Sequence, residues 1–423
     1  MRCSLGTGWS SGAPSPSPSP PGRGNELSLY LHIPFCDVKC AYCDFNSYAG
    51  LESLIPSYTR ALCQELRLWA PRFASDSIRT VFFGGGTPSL TPLPEVRSIV
   101  DAIRQLYALD IDAELSLEAN PGTVDTAYLR GLIRLGINRL SLGVQSFDDQ
   151  ELKALDRIHT ASEAVEALAA ARTAGFQNVN LDLIYGLASQ TLTGWRANVI
   201  RALSLRPEHL SLYALTVEEG TALFTSVRRG TAPAPDADLQ ADMYELAQEL
   251  LESAGYVQYE ISNWALPGYA CRHNLAYWHN ARWLGAGAGA HSSVAGYRFS
   301  NALSPQGYVR RVEESAGATG ETAPATGTIF TGMVHVVWSE RVDELMAMSD
   351  TAILGLRLLD GVSLTEFRRR HGCKLLDIYG DEVRECVGLK LLTQEGDRLR
   401  LTRPGLLLAN EVFSRLLPKP TAV

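Results

Sequence analysis

The chain has 423 residues, more than one ordinary core holds, and 46% of them are apolar, so two domains of a globular protein are expected. A formal charge of −8 argues against a nucleic-acid partner, whose backbone asks for a basic face. No apolar run of about 18 residues reads as a membrane helix, and residues 1–24 lack the apolar stretch of a signal peptide.

Residues 13–25 read "APSPSPSPPGRGN". Such a Pro/Ser-rich segment buries too little apolar surface to offset its ordering entropy, so residues 1–24 are expected to be a disordered tail. From Leu27 onward, six strand-like runs alternate with helix-period runs. The strand-like runs are "LSLYLHI", "IRTVFFGGG", "AELSLEANP", "INRLSLGVQS", "FQNVNLDLIYG" and "HLSLYAL". Their spacing is the βα signature. Most runs read as lacking strict alternation, which suits a parallel sheet covered by helices. No G-x-G-x-x-G opens the first helix, so a partial (β/α)6 barrel is favoured over an open dinucleotide fold. Unusual residues gather near the carboxyl ends of the runs, where parallel α/β folds place their ligands. They are the cysteines after run one, Gly84–Thr87 after run two, Glu118 and Asn120, then Gln145, Asp182 and Tyr213.

A further helix is expected over about 236–254. The barrel and its extension are assigned to residues 25–300, and the Gly/Ala/Thr-rich stretch 301–340 to a linker or loop. Residues 341–423 read as mostly helical with a hairpin, "LTQEGDRLRLT", which suggests a winged-helix-like domain. Its segment 361–423 carries 11 Lys/Arg against 8 Asp/Glu, too even a balance for nucleic acid, so a structural or lid role is expected.

Eight cysteines are spread along the chain, with one tight group, Cys36, Cys40 and Cys43, in "CDVKCAYC". A long chain without secretory features seldom uses such a pattern for disulfides, so a reducing cytoplasm is expected and the three are read as metal ligands. Structural zinc would want a fourth protein ligand, with His32 and Asp44 the nearest candidates. A [4Fe–4S] cluster also usually takes four cysteines. With three, one iron stays open to an external chelator, and the amino and carboxylate groups of S-adenosylmethionine can serve. Consecutive glycines in "GGGTP" would let the backbone approach such a ligand closely.

These residues resemble the radical S-adenosylmethionine superfamily. "YLHIPFC", "GGGTPSL", "LEANPGT", "RLSLGVQSFDDQELKALDRIHT" and "NLDLIYGLASQT" resemble its coproporphyrinogen III dehydrogenase-like family over residues 27–423. The resemblance implies that Tyr30, Tyr42, Gly85, Gly86, Thr87, Glu118, Gln145, Arg157, Asp182 and Ala214 bind the cofactor. A guanidinium such as Arg157 suits a carboxylate, and carboxylates such as Glu118 and Asp182 suit ribose hydroxyls or an ammonium.

Two features separate this chain from the dehydrogenases it resembles. They carry a further cysteine two positions after Cys43, where this chain has Phe45. "CRHNLAYWHN" also contains H-N-x-x-Y-W, a motif of the heme chaperone (HemW) branch. The branch implies that His273, Asn274, Tyr277 and Trp278 contact heme. Neutral imidazole is a common axial ligand, although His273 could equally be a core histidine bonded to a backbone carbonyl. Cys271 is the lesser candidate; His32, beside the cluster, is read as tuning it or touching the cofactor, and His291 as following a glycine-rich run that could approach a ligand. The branch implies a heme chaperone carrying a [4Fe–4S] cluster and S-adenosylmethionine. Its expected acceptors are heme-requiring respiratory proteins. It would reach membranes only through them, and a homodimer is an expected form. The alternative is oxygen-independent coproporphyrinogen III dehydrogenase, and a third reading is another radical reaction on an unrelated substrate.

Overall fold

The computed structural model describes residues 25–318 and 329–418; the expected tail, 1–24, lies outside them. Six parallel strands carry the core. They are β1 (Glu26–Ile33), β2 (Ser77–Gly85), β3 (Ala108–Ala119), β4 (Arg139–Gln145), β5 (Val179–Tyr185) and β6 (His209–Ala214), neighbours in that order. Between them run α1 (Ile55–Trp69), α2 (Leu93–Leu106), α3 (Thr126–Arg134), α4 (Ala161–Ala174) and α5 (Leu192–Ser204). Local sequence sets their ends. Asp125 and Thr191 cap α3 and α5, and Thr160 forms a capping box with Glu163 on α4. Each such cap is worth about 1 kcal/mol. Gly175 ends α4 with φ +116°, a backbone setting that favours glycine.

After α6 (Ala237–Ser253) the sheet gains β7 (Val257–Glu260) and β8 (Asn263–Ala265), with β8 antiparallel to β6. A short helix, α7 (Arg272–Trp278), leads to β9 (Trp283–Ala286), parallel to β1. β10 (His291–Val294), β11 (Tyr297–Asn301) and β12 (Val336–Arg341) then add antiparallel strands. The twelve strands do not close: among the described residues the edges are β12 and β7. The barrel is therefore partial, as expected.

The expected loop at 301–340 is corrected. Pro305–Ala318 is a helix, α8, and β12 joins the sheet at Val336. Tertiary bonding overrides the poor local propensity. The fully buried Glu65 of α1 accepts from Tyr308 Oη (2.5 Å), Asn301 Nδ2 (2.7 Å) and Gly287 N (2.8 Å), tying α8 and the added strands to the barrel.

The expected absence of alternation is corrected too. Leu115, Leu117, Leu140, Leu142, Leu181, Leu183, Leu210 and Leu212 are buried against the helices. The residues between them are polar: Glu114, Ser116 and Glu118, then Arg139 and Ser141, Asn180 and Asp182, His209 and Ser211. Register places Ser116 beside Arg139, Ser141 beside Asn180 and Asp182 beside Ser211. Most of these positions are also buried, because they face the barrel lumen; Glu118 and Asp182 keep part of their surface on its cavity. That is why the runs look uniformly buried in sequence.

The C-terminal domain starts with α9 (Glu344–Leu356) and contains helices Leu364–His371 and Leu375–Gly388. Its three-stranded sheet is made of Val362–Ser363, Leu392–Glu395 and Arg398–Leu401. Phe367, Val383, Leu399 and Val412 are in its own core. It docks by backbone bonds, Ile261 N to Arg357 O (3.2 Å) and Leu359 N to Tyr259 O (3.1 Å). No helix among the described residues is long and apolar enough to cross a membrane.

Candidate functional site

The thiols of Cys36, Cys40 and Cys43 lie on the loop that follows β1. Among the described residues no three His, Cys, Asp or Glu side chains gather as for a single metal ion. Each thiol instead faces a polar neighbour. Thr87 Oγ1 donates to Cys36 Sγ (3.5 Å), Ser47 Oγ lies 3.8 Å from Cys43 Sγ, and Arg157 Nη1 donates to Cys40 Sγ (3.9 Å). Burial pushes the Cys36 and Cys43 thiols up, while those hydroxyls pull them down. A cluster distributes its cysteines over separate irons, and donors around the sulfurs tune it. The donor set therefore fits a cluster held by three thiolates.

The end of β2 shapes the neighbouring wall. A Cβ on Gly85, whose φ is +118°, would stand 2.6 Å from the His32 ring, and one on Gly86 would stand 2.6 Å from Phe35 O and 3.0 Å from Cys36 Sγ. Gly85 N donates to Glu118 Oε2 (3.1 Å), and Thr87 Oγ1 accepts from Asn120 Nδ2 (3.1 Å). Arg157 reaches across to Asn120 Oδ1 and Gly143 O, both at 2.6 Å. Gln145 ends β4 at φ +67°, and a Cβ on Gly143 would crowd its amide and Arg157 alike. Tyr42 packs near Leu155, Ile184 and Leu187. Ala214 ends β6 beside Tyr185. The structure thus brings nine of the ten cofactor candidates to the cysteine side of the barrel or into its upper lumen; Tyr42 stands on the cysteine loop itself.

Below this rim lies a cavity of about 150 Å³, lined by Tyr30, Glu118, Arg139, Asp182, Tyr213 and His273 among others. Burial, then the charge of Asp182, pushes the Glu118 carboxyl up to about 8, so it holds its proton at neutral pH. Burial also raises Asp182, which accepts from Asn180 Nδ2 (2.8 Å) and Ser141 Oγ (3.1 Å). Tyr30 Oη bonds His32 Nδ1 (3.0 Å).

Helix α7 carries the H-N-x-x-Y-W motif into the lumen. His273 is 1% exposed. Its Nδ1 lies 2.7 Å from Thr80 Oγ1, its Nε2 lies 3.0 Å from Tyr277 Oη, and its ring stacks on Phe82 at 5.1 Å. Burial, then the charge of Arg139, pushes it down to about 3, so it is neutral. Its bonds run to side chains, not to the backbone carbonyl considered from sequence. Glu114 accepts from Arg272 N (3.0 Å), His273 N (3.2 Å) and the Cys271 thiol (3.5 Å). Burial pushes that thiol up to about 12, so Cys271 is protonated. At the other end of α7, Arg370 donates to the carbonyls of His279 (3.0 Å) and Asn280 (2.7 Å). An acid at the N-terminus and a guanidinium at the C-terminus both favour the helix dipole. Asn274 and Tyr277 line the cavity. Trp278 does not: the Arg357 guanidinium sits 4.3 Å over its ring, at the seam with the C-terminal domain. His291 is on the exposed face of β10, near Trp338.

Sequence reasoning missed Glu114, Arg139, Thr80 and Phe82. The signal available for Glu114 and Arg139 was period-two polarity within the strand runs.

A partial parallel barrel with three thiols at the mouth defines the class: this is a radical S-adenosylmethionine protein. The Radical SAM superfamily pattern matches residues 30–196, and the HemN C-terminal domain pattern matches residues 342–408. The chain is 38% identical over 397 residues to the heme chaperone HemW of Mycobacterium tuberculosis H37Rv, covering 93% of this chain and 95% of that one. It is 36% identical over 396 residues to the heme chaperone HemW of Escherichia coli K12, covering 92% and 98%. It is 36% identical over 399 residues to the mouse radical S-adenosyl methionine domain-containing protein 1, mitochondrial, covering 93% and 88%. The chain belongs to the heme chaperone HemW family. The solved structure of coproporphyrinogen III oxidase (HemN) from E. coli shares its fold, with a TM-score of 0.78 at 22% identity over 93% of this chain and 90% of that one.

Proposed function

We propose that this protein binds heme and passes it to other proteins. The observation that carries this reading is similarity along nearly the whole chain to proteins named heme chaperone HemW. Phe45, 62% exposed where the dehydrogenases carry a cysteine, supports it. Cys36, Cys40 and Cys43 would hold a [4Fe–4S] cluster. Tyr30, Tyr42, Gly85, Gly86, Thr87, Glu118, Gln145, Arg157, Asp182 and Ala214 would hold S-adenosylmethionine. When bound, the cluster supplies an electron for cleavage of the sulfonium. Thr87, Ser47 and Arg157 orient and stabilise the thiolates. Arg157 is also placed for a carboxylate, and Asp182 for hydroxyls.

The heme contacts are assigned to α7: His273, Asn274, Tyr277 and Trp278. The cavity of about 150 Å³ is smaller than the roughly 300–1,000 Å³ of ordinary cofactor pockets. The lumen as it stands therefore does not admit the porphyrin ring, and His273, buried there with Nε2 3.0 Å from Tyr277 Oη, would reach iron only once α7 opens. The acceptors are heme-requiring respiratory proteins. The working compartment is the cytoplasm, and the protein reaches membranes through its acceptors, in a form that includes a homodimer. The test is anaerobic reconstitution followed by two measurements on one sample. Stoichiometric heme binding, weakened in His273→Ala with the cluster intact, and no turnover of coproporphyrinogen III is the expected result. Turnover with release of carbon dioxide would replace this reading with a dehydrogenase.

A further inference from the structure

We infer that the barrel lumen contains a carboxylate-binding subsite centred on Arg139, which takes one propionate arm of the bound porphyrin. The second half of that statement rests on the function proposed above; the first does not.

Arg139 begins β4, is 2% exposed and lines the cavity. A guanidinium carries five N–H donors, and buried donors are almost always matched by acceptors. Among the described residues Arg139 Nε has no hydrogen-bond partner. Burial works against its charge, and Glu114 and Asp182 act on it through space to hold that charge.

The nearby acceptors are occupied elsewhere. Glu114 takes the two backbone N–H groups that open α7 and the Cys271 thiol. Asp182 takes Asn180 and Ser141. The Asn180 carbonyl oxygen takes Ser211 Oγ at 3.1 Å and faces His209 Nδ1 at 2.6 Å. The lumen network closes on itself, and the Arg139 side chain, whose inaccessible Nε is left without a partner, lines the cavity.

A carboxylate is the planar acceptor that matches a guanidinium best. Glu118, on the wall of the same cavity, holds its proton at neutral pH and so adds no second repelling charge. The volume, about 150 Å³, equals roughly five waters at ~30 Å³ each. That admits a short acid arm and refuses a macrocycle. Tyr213 lines the cavity and is 42% exposed, so the cavity reaches the surface there.

The test compares heme with heme dimethyl ester, whose arms carry no charge, by absorption titration of the reconstituted protein and of Arg139→Gln. The expected result is that the native chain prefers heme by about tenfold or more. Arg139→Gln should bring the ratio close to one by weakening heme alone. Equal binding of the two by the native chain, or a ratio unchanged in Arg139→Gln, overturns the assignment of the arm. A second arm uses sodium propionate against propionamide in thermal melts of the native chain. Protection by propionate alone, absent in Arg139→Gln, supports the subsite even if heme does not bind, in which case only the chaperone reading falls. Equal response to both small molecules overturns the subsite. Where Arg139→Gln does not fold, the native-chain comparisons decide.

Discussion

The rim and the lumen of this barrel are built in opposite ways. The rim draws most of its chemistry from contiguous motifs on loops: the three cysteines, Gly85–Thr87, and Arg157 from the segment after β4. Its groups range from buried (Cys36, Thr87) to partly exposed (Cys40, Cys43, Arg157), and the thiols meet their polar neighbours at 3.5–3.9 Å. The lumen draws single residues from alternate positions of separate strands and closes them under α7. Its charges are buried, and each depends on the others. A rim residue therefore acts locally, and its loss should remove a ligand. A lumen residue acts through the network, and its loss should reach stability as well.

The largest expected effect is at the rim. Cys36→Ala, Cys40→Ala or Cys43→Ala should each remove nearly all reconstituted iron and its visible charge-transfer band, while far-ultraviolet circular dichroism stays native. Full iron content in any of the three would break the assignment of that thiol.

The lumen should answer differently. Glu114→Leu leaves the first N–H groups of α7 without their acceptor and leaves Arg139 short of a compensating charge. Loss of one partner in such a buried arrangement costs about 3–5 kcal/mol. Urea unfolding of the variant should show that loss. A change below about 1 kcal/mol would mean that the lumen is no more coupled than the rim.

Glu118 sharpens the contrast through pH. Its carboxyl is raised from 4.5 to about 8 in the folded chain. A raised value means that the folded state holds the proton more tightly than the unfolded state. The stability it contributes is full below about 4.5 and is lost as pH rises towards about 8. His273, lowered from 6.5 to about 3, acts in the opposite sense: stability falls as pH drops below about 6.5. In Glu118→Gln the upper slope should disappear, while the acid slope from His273 stays. Unfolding free energies at pH 5 and pH 8 check this, and identical slopes in variant and native chain would refute the protonated Glu118.

How much of each region was legible in sequence follows from the same difference. The βα units, the thiol loop and the glycines of β2 stand in unbroken motifs, and the structure places them together. In the lumen, Glu118 and Asp182 stood out near the carboxyl ends of their runs, and the family resemblance gave them their cofactor role. Glu114 and Arg139 went unnoticed because Leu-rich neighbours made their strands look uniformly apolar, and which face is the lumen depends on topology. Residues 305–318 look like linker in composition, and their helix is held by a remote contact, Tyr308 with Glu65. The H-N-x-x-Y-W stretch was readable as a motif, yet not as the helix that enters the barrel, because its end groups, Glu114 and Arg370, come from far along the chain.

The smallest expected effect belongs to Phe45→Cys. Phe45 is 62% exposed on the cysteine loop, and no bond of its side chain holds the fold; its carbonyl accepts from Lys39 Nζ at 3.1 Å, which the substitution keeps. Stability should change by less than about 0.5 kcal/mol, as for ordinary surface positions. The added thiol restores the cysteine spacing of the dehydrogenases without restoring a substrate shell, because a site works only when its supporting residues are placed with it. Turnover of coproporphyrinogen III should therefore stay at background. Clear turnover would show that the rim alone decides between the two activities. Its absence would leave the decision with the lumen and with the helix that closes it.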